Sequence, residues 1–136
     1  MLHISSFQKI WTMSKKKKLV RKKFRDAVFK RDGYVCRVCG IGVVGVDPST
    51  YLDAHHITSR EEMPGGGYVE ENGISLCESC HRQAEHWLSE PNMHELTKIA
   101  LAEYDPEELY KRIGSSHKDA YIASLVLLEW INDDEL

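Results

Sequence analysis

The hydrophobic positions change period along the chain, and each change predicts an element. Residues 19–30 put Phe24, Ala27, Val28 and Phe29 on one side, with Arg21, Lys22, Lys23 and Arg25 elsewhere, the pattern of an amphipathic helix. Asp32 and Gly33 offer the turn that stops it. Residues 41–50 read as a loop or hairpin with a turn at Asp47, Pro48 and Ser49, and residues 51–58 as a strand. A long loop over 59–72 follows, expected to be flexible because Pro64 precedes Gly65, Gly66 and Gly67. Ile74, Ser75 and Leu76 form a short extended piece, and 77–88 reads as a turn running into a helix. Pro91 breaks the pattern, and helices are expected over 93–103, 106–113 and 117–131, with Pro106 in a first turn and Gly114 as a stop. The first of these is expected to bury Leu96, Ile99, Ala100 and Leu101. The last is expected to bury a wide face of Tyr121, Ile122, Leu125, Val126, Leu128 and Trp130.

Composition narrows the class. With 136 residues and 42% apolar positions the chain is long enough for one domain with a modest core. No apolar run approaches the ~20 residues a membrane span needs, so no membrane association is expected. The first residues lack the pattern of an export signal, which gives the expectation of a cytoplasmic protein in a reducing compartment. The net charge of −3 hides a polarity. Residues 1–40 hold 12 Lys and Arg against 2 acids, whereas the remainder holds 6 against 19. Lys15, Lys16, Lys17, Lys18, Arg21, Lys22, Lys23 and Arg25 form a dense cationic stretch suited to phosphate neutralisation, with no evident base-reading code. Residues 1–18 are expected to be a flexible basic arm, 19–90 the functional domain and 91–136 a helical extension. That extension packs on the core or serves as a homodimer or partner interface.

The chemistry sits in cysteines and histidines. Cys36 and Cys39 form one Cys-x-x-Cys pair, Cys77 and Cys80 another. Two residues between cysteines let one turn present both sulfurs to one ion, so the four predict a closed structural Zn2+ site. A redox pair would explain one motif but not two. Between the pairs lies Asp53-Ala54-His55-His56-Ile57, and His81 follows Cys80. Adjacent strand histidines point to opposite faces, so one can hold a cation while the other faces an attacking water, provided the strand curls around the site. Asp53 shares the face of His55 and is placed to bind the ion through water or to orient a neighbour. His86 lies about 140° around an ideal helix from His81 and converges with it only if the first turn is distorted. His3, His94 and His117 belong to no cluster and are expected at the surface.

These motifs carry a resemblance. Arg31-Asp32-Gly33-Tyr34-x-Cys36-x-x-Cys39-Gly40, then Asp53-x-His55-His56-Ile57, then Asn72-Gly73-Ile74-x-Leu76-Cys77-x-x-Cys80-His81 resemble the HNH endonucleases. Within that family they more closely resemble the small zinc-containing type common in bacteriophages and mobile elements. The resemblance covers about residues 24–88. It implies an α+β fold with a ββα-metal core, to which the cysteine pairs, a basic N-terminal helix and a helical C-terminal extension are added. It implies a metal-dependent hydrolase of DNA phosphodiesters, either nicking or cutting both strands. The residues alone leave structured RNA open. His56, Asn72 and His81 match the catalytic letters of the family name, with His56 as the base. His55 and His81 would hold the catalytic ion, Mg2+ or Mn2+ first, with Zn2+ or Ni2+ also admitted. Asn72 would bind that ion or orient His56, and Asp53 and His86 are further ligand candidates. The alternative reading is a non-catalytic zinc-dependent DNA-binding or regulatory module on the same scaffold.

Overall fold

The computed structural model describes residues 6–90 and 92–133, with side chains from residue 15 onward. The break expected at Pro91, the surface placement of His3 and the acidic ending 134–136 lie outside the described residues.

The chain opens with α1 (Ser6–Arg31), which starts earlier than the helix expected from residue 19 and runs unbroken through the lysine run. Like charges alone would fray this stretch. The structure offsets them by tertiary contact, because Lys16 is buried and donates from Nζ to the backbone oxygens of Trp130, at 3.0 Å, and Asp133. Lysine at the C-terminal end of a helix satisfies free carbonyls and favours the negative end of the helix dipole. Helix α1 ends as expected, with Gly33 at φ 67° and Tyr34 at φ 62° in the left-handed region.

Strands β1 (Leu52–His56) and β2 (Gly73–Cys77) pair antiparallel, with His56 opposite Gly73 and Leu52 opposite Cys77. Helix α2 (Glu78–Ser89) follows directly, so the expected ββα unit is present. Helix α1 packs against one face of the hairpin so closely that Gly73 has no room for a side chain. A Cβ there would lie 2.4 Å from Val28 Cγ2 and 2.6 Å from Phe24 Cε1. The core joins Phe29, Leu52, Ile57, Ile74 and Leu76 to Leu101, Tyr104, Leu109, Tyr110 and Ala120 of the C-terminal segment.

That segment holds α3 (Glu95–Ala100), α4 (Pro106–Arg112) and α5 (His117–Ile131). Asp105 caps α4 by accepting from Glu107 N, and Ser116 caps α5 by accepting from Asp119 N. Two expectations are corrected here. Leu96 and Ile99 are exposed, because α3 is too short to lay a full apolar face on the core, and only Leu101 is buried. On α5 the buried positions are the small ones, Ala120 and Ser124, while Tyr121, Ile122, Leu125, Val126 and Trp130 are exposed. The reason is the loop expected to be flexible. Residues 60–72 form three 3-10 turns, and Gly65 packs against α5, with its Cβ direction 3.5 Å from the Leu128 backbone. Close approach of the loop to the Leu128 backbone favours glycine at position 65.

Candidate active site

The four cysteines come together as expected. Their Sγ atoms all lie within 4.8 Å of one another, with Cys39 and Cys77 at 3.6 Å. A tetrahedron with ~2.3 Å Zn–S bonds has sulfur–sulfur edges of about 3.8 Å, so the donor set fits a zinc ion. Burial alone would raise the Cys36 thiol pKa. Backbone hydrogen bonds at Cys39, Cys77 and Val38 outweigh it and bring the thiol down to about 7, towards the thiolate a metal requires.

A second cluster stands apart from the sulfurs. His55, from the end of β1, and His81 and Glu85, from α2, bring one donor atom each within 4.8 Å of one another. His81 and Glu85 are four residues apart, hence about 40° apart around the helix and on one face. Glu85 Oε1 lies 3.2 Å from His81 Nε2. Asp53 Oδ2 lies 3.1 Å from His81 Nδ1, on the other side of that ring. His55 is 1% exposed, and both its ring nitrogens are buried without a hydrogen bond. Glu85 Oε1 comes within 3.4 Å of His55 Nδ1, but without hydrogen-bond geometry. Burial, aided by the charges of His81 and His56, pushes His55 down to about 3, so the ring is neutral at neutral pH and the Glu85 contact is no salt bridge. A buried neutral imidazole with orphaned nitrogens is costly in a metal-free core and is the natural donor for a divalent cation. The residues present therefore fit a metal.

His56 points to the opposite strand face. Its ring stacks on Phe24 of α1, with centroids 4.6 Å apart, and meets the edge of Tyr68 at 4.6 Å. Burial first, then Arg60 and His81, lower it to about 4, so it too is neutral and able to accept a proton. Because β1 is paired on one side only among the described residues, its free edge opens onto a cleft of about 630 Å3. His56, His81 and Glu85 line this cleft together with Arg21, Arg25 and Arg60. Arg60 donates to the Tyr68 hydroxyl at 3.0 Å, and Arg21 lies over the same ring at 5.8 Å. His55 itself does not line the cleft, and its cluster reaches that space through His81 and Glu85.

Four expected site residues are placed differently. Asn72 is fully buried, and its amide is taken up by Thr58 N, Thr58 O, Gly67 O and the Tyr110 hydroxyl. It therefore joins neither the cation cluster nor the His56 ring. A buried amide must satisfy its own donors and acceptors locally, and this one does so by fixing the chain just beyond His56. His86 is exposed and stays out of the cluster, because α2 is undistorted and its face points away. Lys16 of the cationic stretch is buried against α5, and Lys22 pairs with Asp26 at 2.7 Å. Lys17, Lys18 and Lys23 are exposed, and Arg21 and Arg25 reach the cleft. His94 and His117 are exposed as expected, His94 accepting from Leu96 N to cap α3.

Glu85 is the functional candidate missing from the sequence reading. The signal was present as the i, i+4 relation to His81, a better match to one helix face than the i, i+5 relation of His86. Tyr68 was also missed. It lies in an irregular loop, where no periodicity marks a residue that will fold over a strand.

Among the described residues no helix is long and apolar enough to cross a membrane. Comparison with curated proteins and with solved structures gave no significant match. Residues 36–86 span both cysteine pairs, the hairpin with its paired histidines, and α2 through Glu85. They match the family model described as HNH endonuclease, and this segment of the chain is an HNH domain.

Proposed function

We propose that the protein is a divalent-metal-dependent endonuclease that hydrolyses DNA phosphodiester bonds, with His56 as general base and His55, His81 and Glu85 as the protein ligands of the catalytic ion. The observation that carries this reading is the meeting of three features in one cleft: a neutral histidine, His81 and Glu85 of the metal-ligand cluster, and three arginines.

Each residue has work consistent with that reaction. Arg21, Arg25 and Arg60 draw a phosphodiester into the cleft by charge and hydrogen bonding. His56, held between Phe24 and Tyr68, takes a proton from the attacking water onto its ring. Asp53 accepts from His81 Nδ1–H and so presents the opposite nitrogen towards Glu85, the geometry of a carboxylate that orients a ligand histidine. A divalent cation at this cluster supplies positive charge against the phosphate and the leaving oxygen. The cysteine cage, with its zinc, holds the start of α2 against the first knuckle and so fixes where His81 and Glu85 project.

A zinc-dependent DNA-binding module without catalysis would have no need for a buried, hydrogen-bond-free His55 beside Glu85 and His81. The test is conversion of supercoiled plasmid to nicked or linear form with Mg2+, Mn2+ or Ni2+. His56→Ala should lower the rate by about 10²–10⁴-fold while circular dichroism and zinc content stay unchanged. Equal cutting by the variant would remove His56 from the mechanism, and no cutting by the wild-type protein with any of the cations would remove the enzyme.

A further inference from the structure

The C-terminal segment lies outside the HNH match, yet it delivers two buried tyrosine hydroxyls into the HNH domain. Tyr104, in the 3-10 turn after α3, donates to Cys80 Sγ at 3.3 Å. Tyr110, on α4, donates to Asn72 Oδ1 at 2.7 Å and lies 2.7 Å from Thr58 Oγ1. The Tyr110 hydroxyl has one proton, and the amide oxygen can only accept. The Thr58 hydroxyl therefore donates to Tyr110, and the network has a single proton arrangement. Both tyrosines are 4% exposed, so neither hydroxyl has water as an alternative partner.

We propose that residues 92–133 are a working part of the nuclease site. Tyr104 holds the zinc cage through Cys80, and Tyr110 is a positioning residue that fixes the chain behind His56 through Asn72. The inference rests on the metal and nuclease reading above and extends it to a segment with no metal ligand of its own. Its physical basis differs at the two contacts. Four thiolates around one Zn2+ carry a net charge of −2, and each hydrogen bond donated to a buried sulfur spreads that charge. The Cys39 N–H approaches Cys36 Sγ at 3.5 Å, and the Tyr104 hydroxyl does the equivalent for Cys80. At the second contact, Asn72 accepts from Thr58 N at 3.0 Å and donates to Thr58 O at 3.0 Å, while Asn72 O accepts from Ile57 N at 2.8 Å. Residues 57 and 58 directly follow His56, so anything that loosens Asn72 loosens the backbone carrying the base.

Tyr104→Phe and Tyr110→Phe in the full chain keep both rings and remove one oxygen each, which separates hydrogen bonding from packing. Tyr104→Phe should lower zinc affinity in competition with a colorimetric chelator by about 10–100-fold, with Thr58 amide exchange unchanged. Tyr110→Phe should speed Thr58 amide exchange by on the order of tenfold. It should also lower kcat for plasmid nicking with KM for DNA unchanged and zinc affinity retained. Wild-type zinc affinity in Tyr104→Phe, or wild-type Thr58 exchange or wild-type kcat in Tyr110→Phe, would overturn the proposal. Were the wild-type protein to cut no DNA, the nuclease reading would fall and the catalytic role of Tyr110 with it, while zinc competition and Thr58 exchange would still decide the two contacts.

Discussion

Adding a single methyl group at Gly73 should damage both the fold and the site. Gly73 has extended backbone, φ −119° and ψ 145°, which alanine adopts without strain, so the whole effect is steric. The added Cβ would sit 2.4 Å from Val28 Cγ2, 2.6 Å from Phe24 Cε1 and 2.8 Å from Phe24 Cζ. Carbon atoms prefer about 3.5–4.0 Å, so roughly 1 Å of overlap must be relieved. All three atoms belong to α1, and the relief therefore displaces that helix or rotates Phe24. Overpacking of this kind costs about 1–3 kcal/mol. With a urea m-value of about 1–3 kcal/mol/M, the midpoint of unfolding should fall by on the order of 1 M. Phe24 also carries the stacked His56 ring, so nicking should slow under conditions where the variant is fully folded. The decisive control is Gly73→Ala combined with Val28→Ala. Removing the nearest methyl should make the pair less destabilised than the sum of the singles by about 1 kcal/mol. Strict additivity, or an unchanged midpoint in Gly73→Ala, would refute the claim that the α1–hairpin contact is at its closest packing.

Other outcomes follow from the same geometry. Arg25→Ala should reduce the salt dependence of DNA binding by about one counterion, whereas Lys16→Ala should leave it unchanged and lower thermal stability, because Lys16 is spent on α5. His55 and His56 are held at about 3 and about 4, below their ordinary value near 6.5. The unfolded chain takes up protons that the fold refuses, so the stabilisation is complete above about pH 6.5 and is lost as pH falls towards 4 and 3. Without added catalytic metal, denaturation at pH 7.5 and 5.5 should show a loss of about 3 kcal/mol, roughly halved in His56→Gln. Zinc removal by a chelator should release the knuckles and cost the near-UV dichroism of the core, restored by zinc but not by Mg2+.

Much of this site was legible because its chemistry is local in sequence. The two Cys-x-x-Cys turns and the paired histidines on a strand declare their geometry within a few residues, and the cage and the two-faced strand follow. What stayed hidden depends on contacts between distant segments. Asn72 reads as a turn residue or a ligand until Tyr110, 38 positions away, is seen to share its amide. Lys16 reads as one more phosphate-binding charge until the end of α5, more than 110 positions later, is seen above it. The wide apolar stripe of α5 reads as a buried face, but the helix turns Ala120 and Ser124 inward, and the loop that covers it meets it at Leu128 and Ile131 through Gly65. Glu85 was hidden for a different reason, since an exposed helical glutamate is common and only the buried His55 opposite gives it meaning.

The proposed mechanism needs a second cation, held by His55, His81 and Glu85 and distinct from the zinc that the cysteine cage fits. Titrating Mn2+ into zinc-loaded protein, followed by electron paramagnetic resonance, tests it most directly. One Mn2+ site per chain is expected, abolished in His81→Ala and weakened in Glu85→Gln, with one zinc per chain retained throughout. Mn2+ binding of unchanged strength and stoichiometry in His81→Ala would contradict it.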